Sequence, residues 1–373
     1  MTGMNSLIWC TNCLAMSTRP RITFDKLGKC NACVWMEKKK SLNWNNRQQE
    51  LEQLLDKHRR NDGGYEVVVP VSGGKDGSYV AYNLKHKYGM KVLALTVTPA
   101  LSLEIGDQNL KAFIASGYNH ISINPDFKVM QTLNKTGYIE MGFPYYGWLI
   151  AIQSAVVRMT SQLGINLIFY GEDGEVEYGG TNETSKDPIF DVNYMKKIYL
   201  ENGYDKVLKS SGLSENELFF FQFPSNETLE RSPIDITHWS YFENWDPYRN
   251  YLSAKEHCGL VEAQDSNSGT FTNFSQNDQA LYSLHAYLMY LKFGFGRATQ
   301  DACIEIRRGA MNRKQALNLV HLYDGQYPDI YLKYYLDYYQ LTKSEFDVVL
   351  DSWANTNLFE KVNGNWKPLF KVN

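Results

Sequence analysis

One stretch of the chain, SGGKDGS, has the residue types of a phosphate-binding loop. It comprises Ser72, Gly73, Gly74, Lys75, Asp76, Gly77 and Ser78. Glycines let the backbone turn sharply and approach an anion, and the N–H groups that begin a following helix bind phosphate oxygens. Ser72 and Ser78 add hydroxyl donors, Lys75 adds positive charge, and Asp76 can hold Mg²⁺ between phosphates. The Walker pattern is absent, which excludes a standard P-loop nucleotide hydrolase.

A second candidate is the acidic run GEDGEVEYGG at residues 171–180, directly after an apolar stretch with strand character. Ligands of open parallel sheets bind outside the carboxyl ends of the strands, so this run is expected at the same sheet edge as the phosphate loop. Four carboxylates without a basic neighbour repel each other unless a cation lies among them, and Mg²⁺ on ATP phosphates supplies one. We expect Glu172 and Asp173 to contribute most. A solvated acidic turn is the alternative.

Four of the six cysteines form two close pairs, with the spacing C-x₂-C-x₁₆-C-x₂-C. They are Cys10, Cys13, Cys30 and Cys33. This is the two-knuckle spacing of a four-thiolate zinc site, which leaves no open position for catalysis. The pattern predicts a structural Zn²⁺ that folds a segment with little apolar material of its own, against the alternatives of redox chemistry or four free thiols. Cys258 and Cys303 stand alone and are expected to be buried apolar residues.

Two further stretches have residues suited to substrate recognition. FPYYGW at 143–148 offers the flat aromatic faces of Tyr145, Tyr146 and Trp148, which suit a sugar or a base. Packing in the hydrophobic core beneath the sheet is an equally good explanation. Glycine and arginine alternate at 292–309, where Arg297 and Arg307 can present guanidinium groups to an anionic ligand. A salt-bridged joint between helices explains the second stretch equally well.

The elements that must position these residues alternate between strand and helix. Apolar, β-branched runs predict strands at 66–71, 91–97, 121–123 and 166–170, and helical periodicity predicts helices at 44–60, 78–88, 107–116 and 148–163. This alternation indicates an α/β fold with a parallel sheet covered on both faces. Residues 186–270 are rich in proline and aromatics and indicate an insertion. Capping patterns predict C-terminal helices that begin at Ser275–Asp278, Asn312–Gln315 and Thr342–Glu345.

We therefore divide the chain into four parts: a zinc ribbon at 1–40, a linker helix at 41–64, a nucleotide-binding domain at 65–270 and a helical region at 271–373. The net charge of −3 lacks the basic excess typical of polynucleotide binders. No apolar run is long enough to span a bilayer, and the segment from Met1 to Leu14 lacks a secretory pattern. The composition thus favours a cytoplasmic protein that binds neither nucleic acid nor membrane.

Together these motifs resemble the N-acetyl sugar amidotransferases of bacterial surface-polysaccharide biosynthesis, which belong to the PP-loop ATP pyrophosphatases (adenine nucleotide alpha hydrolase-like fold). The resemblance covers almost the whole chain. It rests on IWC-x-x-C at 8–13, TRPRI at 18–22, the second cysteine pair, the loop at 72–78, the acidic run at 171–180 and KFGFGR at 292–297. One departure concerns the hydroxyl contact to phosphate: the family's serine directly after the loop aspartate is Gly77 here, with Ser78 one place later.

The resemblance implies an ATP-dependent carbon–nitrogen ligase that forms AMP and pyrophosphate. The acetamido oxygen of a nucleotide-activated sugar is adenylated, and ammonia then converts the imidate to an acetamidino group in lipopolysaccharide O-antigen or flagellin-glycan synthesis. Lys75, Asp76, Glu172 and Asp173 would be catalytic. Gly171 and the loop at 72–78 would bind ATP, and Mg²⁺ would lie on Asp76 and Asp173.

The same resemblance implies an ammonia-using synthetase subunit with a separate glutaminase, and a barrel-type channel subunit as a further partner. The chain itself lacks the signature of a glutaminase nucleophile, because residue 2 is Thr2 and neither lone cysteine lies in a Gly-x-Cys-x-Gly elbow. Two rivals remain: a tRNA-thiolating PP-loop enzyme, and a non-enzymatic docking protein with a zinc ribbon. The acidic net charge opposes the first, and the intact Lys75-Asp76 pair opposes the second.

Overall fold

A computed structural model describes residues 7–372. Thr2 and the first six residues of the predicted zinc ribbon therefore lie outside the described residues. The element order places two helices before the sheet: α1 Asn31–Lys39 and α2 Trp44–Lys57. Asn43 caps α2 by accepting a hydrogen bond from the backbone N–H of Asn46.

The central sheet has five parallel strands in the order β3-β2-β1-β4-β5. They are β1 Val67–Pro70, β2 Val92–Val97, β3 Asn119–Ile123, β4 Leu167–Tyr170 and β5 Asp235–His238. The predicted α/β class with a parallel sheet is confirmed. The fifth strand was missed, because Asp235–His238 is short and lies within the region interpreted as an insertion. The acidic run therefore follows an inner strand rather than the last one, since β4 pairs with both β1 and β5.

Helices cover both faces of the sheet. They are α3 Lys75–Tyr82, α4 Glu104–Ala115, α5 Phe127–Met141, α6 Tyr146–Gln162, α7 Gly174–Tyr178, α8 Val192–Tyr194, α9 Tyr204–Ser210, α10 Asn226–Arg231, α11 Trp239–Phe242 and α12 Pro247–Cys258. Side chains alternate along β1: Val68 packs in the core that includes α6, and Val67 and Val69 pack in the core that includes α2 and α3. The sheet is thus buried on both sides, as its continuous apolar strands require.

Up to residue 372, the C-terminal region contains five α-helices, a short 3-10 helix at Asp329–Tyr331 and a hairpin. The α-helices are α13 Leu281–Phe293, α14 Arg297–Arg307, α15 Arg313–Tyr323, α16 Leu332–Tyr339 and α17 Lys343–Trp353, followed by the antiparallel strands β6 Phe359–Val362 and β7 Asn365–Pro368. The capping boxes predicted at Asn312 and Thr342 are confirmed. The start predicted at Ser275–Asp278 is wrong, because α13 begins at Leu281 after an uncapped turn. The hairpin was missed, although Asn363-Gly364 with both φ angles positive is a strong hairpin signal.

Within residues 7–372, no helix has both the length and the apolar character that a membrane span requires.

Candidate functional site

The phosphate loop connects β1 to the first turn of α3 and is held closely against α4. Gly73 has φ of +81°, and a Cβ there would lie 2.3 Å from the backbone nitrogen of Leu110. Gly77 packs on β1, where a Cβ would lie 2.8 Å from the carbonyl oxygen of Pro70. Glycine is therefore required at both positions. Gly77 stands where the similar family has a serine, and the close packing on β1 explains this difference, because a serine side chain would not fit there.

Two adjoining cavities lie at the carboxyl ends of β1 and β2. The first measures about 150 Å³ and is lined by the loop, by Asn109 and by residues 274–278. The second measures about 180 Å³ and is mainly apolar, with walls that include Leu95, Val97 and Trp148. Ser72, Gly106 and Asp278 line both cavities. The polar space at the start of α3 suits phosphate groups, and the apolar space beside it suits a base or a sugar ring.

Lys75 and Asp76 form an ion pair at the first turn of α3. Burial lowers the pKa of Lys75, but the carboxylates of Asp76 and Glu172 outweigh that effect, so its pKa is raised and the ammonium stays charged. The Asp76 carboxylate also accepts hydrogen bonds from Asn250 Nδ2 at 2.8 Å and from Trp245 Nε1 at 3.2 Å. These contacts fix the carboxylate at the cavity wall.

Glu172 lies beside this ion pair and is incompletely paired. Its Oε2 atom is buried and has no hydrogen-bond partner among the described residues. Burial and the nearby Asp76 carboxylate raise the pKa of Glu172 to about 8. The absence of a side chain at Gly171 allows Asp76 to lie against the backbone next to Glu172, since a Cβ on residue 171 would lie 2.6 Å from Asp76 Cβ. An orphaned carboxylate oxygen next to a second carboxylate fits a divalent cation, so Asp76 and Glu172 are suited to hold Mg²⁺.

Asp173 faces away from the phosphate loop. It caps α7 by accepting from the backbone N–H of Glu175 at 3.0 Å, and it accepts from the hydroxyls of Tyr199 and Thr184. Burial raises its pKa to about 7. It lines a separate cavity of about 10 Å³, together with Trp35 and other residues. Asp173 thus lies apart from Asp76, because consecutive residues of the turn point in different directions. We therefore expect Glu172, rather than the predicted Asp173, to share Mg²⁺ with Asp76.

The remaining carboxylates of the acidic run have basic partners, contrary to the prediction. Arg21 forms a bidentate pair with Glu175, at 2.7 and 2.9 Å. Lys39 Nζ lies 2.8 Å from Glu177, both side chains are almost fully buried, and Trp35 Nε1 also donates to Glu177. The cations come from the cysteine-bearing segment, far away in sequence. This half of the run is the docking point of that segment.

The four predicted zinc ligands converge. Their sulfur atoms all lie within 4.8 Å of one another, with Cys10–Cys33 and Cys13–Cys30 at 3.7 Å. A tetrahedral zinc site with bonds of about 2.3 Å requires sulfur–sulfur distances of roughly 3.8 Å. Backbone N–H groups also point at the sulfurs, including that of Cys30 to Cys10 Sγ at 3.2 Å. The residues fit a structural Zn²⁺, which would hold the ribbon together.

The predicted substrate residues divide into three groups. Tyr146 is fully buried and its hydroxyl bonds to the carbonyl of Leu200, so it is a core residue. Arg307 contacts Cys13 Sγ at 3.8 Å and donates to the carbonyl of Glu177, and therefore supports the cysteine cluster. Three residues remain nearer the site. Trp148 lines the apolar cavity, and Tyr145 is buried and packs against Trp148 with ring centroids 5.9 Å apart. Burial lowers the pKa of Arg297, but the carboxylates of Asp301 and Glu172 outweigh that effect and raise it.

Two residue assignments in the neighbourhood of the loop also change. Ser78 is fully buried, its hydroxyl has no partner among the described residues, and it does not line the phosphate cavity. Asp278, which was interpreted as part of a helix cap, instead lines both cavities, and burial raises its pKa to about 6. Trp245 and Asn250 carry no local motif, and the motif at Asp278 indicates a helix cap, so only the tertiary structure brings these residues to the loop.

Comparison with known proteins identifies the C-terminal region. Residues 268–372 match the family described as LPS biosynthesis protein WbpG-like, C-terminal domain. The recognition of a lipopolysaccharide-related protein is thereby confirmed for this region, which includes residues 274–278 of the phosphate cavity. No curated protein matches the chain significantly.

Two solved structures are distantly similar. The U34-tRNA thiolase NcsA from Methanococcus maripaludis with its [4Fe-4S] cluster shares 13% identity and a TM-score of 0.33, over 71% of this chain and 79% of that one. A predicted subunit of tRNA methyltransferase from Methanocaldococcus jannaschii shares 14% identity and a TM-score of 0.27, over 60% of this chain and 86% of that one. Likenesses this distant do not bear on function.

Proposed function

We propose that this chain, with its WbpG-like C-terminal domain, is an ATP-dependent amidotransferase that converts an acetamido group of a nucleotide-activated sugar to an acetamidino group. One observation carries the ATP part of the proposal: the polar and apolar cavities that meet at Ser72. A triphosphate placed at the first turn of α3 has the adjoining apolar space available for its nucleoside. The lipopolysaccharide-related domain supplies part of the polar cavity wall, which supports a sugar intermediate as the second substrate.

The reaction has two balanced steps. The acetamido oxygen attacks the α-phosphorus of ATP, the new oxygen–phosphorus bond forms, and pyrophosphate leaves. Ammonia then attacks the imidate carbon and loses a proton, the carbon–oxygen bond breaks, and AMP departs with the former acetamido oxygen. Adenylation is needed because an amide oxygen is a poor leaving group.

The chain's own groups suit the first step. The backbone N–H groups at the start of α3 and the Lys75 ammonium stabilise negative charge that builds on the departing pyrophosphate. Asp76 orients Lys75 through the ion pair and is itself fixed by Asn250. Asp76 and Glu172 would hold Mg²⁺, which neutralises phosphate charge when bound.

The nitrogen source is proposed to be free ammonia delivered by a separate glutaminase. Both cysteines outside the cluster are buried, at 1% and 4% exposure for Cys258 and Cys303, and burial raises the pKa of Cys258 to about 11. A hydrogen bond with Cys13 lowers the pKa of Cys303, but that thiol is enclosed beside the cysteine cluster. Neither thiol has the exposure of a nucleophile, which supports the proposal. Purified chain should form product with ammonium and not with glutamine alone.

The decisive experiment is a panel of nucleotide-linked acetamido sugars incubated with ATP, Mg²⁺ and ammonium. We expect one class of sugar to yield AMP, pyrophosphate and a product about one mass unit lighter, because NH replaces oxygen, and more basic, because an amidine replaces a neutral amide. A matched reaction without ammonium should release little pyrophosphate. AMP formation that depends on tRNA and not on any sugar would refute the proposal.

A further inference from the structure

Two arginines from distant parts of the sequence approach one tyrosine ring. The guanidinium carbons of Arg19 and Arg297 each lie 5.9 Å from the ring centroid of Tyr178. Arg19 belongs to the cysteine-bearing segment, Tyr178 ends α7, and Arg297 begins α14 in the WbpG-like domain. Three separate regions of the chain thus meet at one aromatic ring, and we name Arg19, Tyr178 and Arg297 the Tyr178 cluster.

The charges of this cluster are not balanced. Arg297 Nη2 pairs with Asp301 Oδ1 at 2.7 Å, whereas Arg19 has no carboxylate within ion-pair distance among residues 7–372. The Nε atoms of both arginines are buried and have no hydrogen-bond partner in the same part of the chain. Burial lowers the pKa of Arg19, although a guanidinium remains charged at any physiological pH. A desolvated guanidinium without an acceptor is costly unless a ligand supplies one.

The vacant donors suit a phosphate group better than a carboxylate side chain of the protein. Two nearby carboxylates are already engaged, Glu175 by Arg21 and Asp301 by Arg297. The third, Glu172, is the carboxylate proposed to hold Mg²⁺. The N-terminus of α14 is also engaged, because Asp324 accepts from the backbone N–H of Gly296 at 2.9 Å. The free acceptor must therefore come from outside these groups, and planar guanidinium groups bind phosphate oxygens with two parallel hydrogen bonds.

The Tyr178 cluster adjoins the ATP site without being part of it. The Tyr178 ring lies 6.4 Å from the ring of Trp245, which donates a hydrogen bond to Asp76, so the cluster lies beside the carboxylates proposed to hold Mg²⁺. Neither arginine lines the phosphate cavity, which contains the loop and residues 274–278. A ligand held by the cluster would thus reach the ATP phosphates from the side of Glu172.

We propose that Arg19 and Arg297 bind the diphosphate of the second substrate, the nucleotide-linked sugar. The inference rests on the proposed function, which requires such a substrate to meet ATP at the loop. Tyr178 positions the two guanidinium groups by cation–π contact. The chemical class bound is a diphosphate that is distinct from the phosphates of ATP.

The test is calorimetric titration of the zinc-loaded full chain, first with α,β-methylene-ATP and Mg²⁺ and then with inorganic pyrophosphate. Filling the loop first reserves it for the ATP analogue, so that pyrophosphate reports on the second site. We expect Arg19→Gln to weaken pyrophosphate binding by at least about tenfold, since hydrogen bonds to a charged group are lost, and to leave the affinity for the analogue unchanged. Lys75→Ala should do the reverse.

Controls separate this inference from folding and from the proposed function. Arg231→Gln removes an exposed guanidinium elsewhere and should change neither titration. Arg19→Lys keeps the charge and should retain more pyrophosphate binding than Arg19→Gln if the latter folds poorly. Pyrophosphate binding that disappears once the analogue is bound, or that survives Arg19→Gln, would overturn the second site. If the ATP analogue itself did not bind, the proposed function would fail. Titration of Lys75→Ala with pyrophosphate would still show whether the Tyr178 cluster binds a diphosphate.

Discussion

The acidic run at 171–180 has two halves that the structure uses differently. Glu172 faces the phosphate loop with one buried oxygen unpartnered among the described residues. Glu175 and Glu177 face the cysteine-bearing segment and are paired with Arg21 and Lys39. A structural carboxylate is satisfied within the folded chain, whereas a carboxylate kept for a ligand is not. Unsatisfied hydrogen-bonding capacity, rather than acidity, thus distinguishes the candidate active site from the docking site next to it.

Metal removal should have the largest effect on the docking half. Stripping zinc with a chelator removes on the order of 10 kcal/mol of binding free energy from a segment without its own core. We expect residues 7–40 to become sensitive to protease before the sheet domain unfolds, with Arg21 and Lys39 released from their carboxylates. Zinc analysis combined with limited proteolysis measures this. A metal-free protein with a protease-resistant ribbon would contradict the assignment.

Breaking the buried Lys39–Glu177 ion pair should have the second-largest effect on stability. Lys39→Met leaves Glu177 buried without its cation, and such changes cost about 3–5 kcal/mol of unfolding free energy. Lys343→Met removes an exposed partner of Asp347 and is the matched control, with an expected cost below about 1 kcal/mol. Urea unfolding of both variants makes the comparison. An equal loss of unfolding free energy in both variants would show that burial does not make the Lys39–Glu177 pair more important for stability than the exposed pair.

The loop half should respond most clearly in activity. Lys75→Ala should lower pyrophosphate release by about 100-fold or more, because a preorganised positive charge near the leaving group is lost. Its unfolding free energy should fall as well, because the partly buried Asp76 and Glu172 carboxylates lose their cation, so turnover is measured at a temperature where the variant is folded. Lys333→Ala on α16 serves as the control for removal of a charge. Near-normal turnover in Lys75→Ala would show that the loop is not the site of chemistry.

Glu172 gives the most diagnostic effect, through pH. Its folded pKa of about 8 lies above the ordinary value of 4.5, so ionisation disfavours the ligand-free fold progressively as pH rises from 4.5 to 8. Glu172→Gln, which cannot ionise, should therefore raise the melting temperature more at pH 8 than at pH 5. The same variant should weaken Mg²⁺-dependent ATP binding most above pH 8, where the wild-type carboxylate is ionised. A melting temperature that shifts equally at both pH values would remove Glu172 from the site.

The sequence determined much of this molecule because several signals are local. Strand and helix periodicity specified an α/β fold, the glycines at 73 and 74 marked a tight turn between β1 and α3, and paired cysteines predicted a cluster whose sulfurs now lie within 4.8 Å of one another. Two capping boxes were also placed correctly, since each depends on residues three positions apart.

Tertiary structure alone decided which side chains share a site. The partners of Glu175 and Glu177 lie over 130 positions away in sequence, and so do Trp245 and Asn250 relative to Asp76. Glu172 and Asp173 are adjacent and equally acidic, yet the backbone path after β4 turns them to different neighbours. Residue type and spacing reveal what a side chain can do, whereas its pKa, its partners and its vacant hydrogen bonds depend on segments that the fold brings beside it.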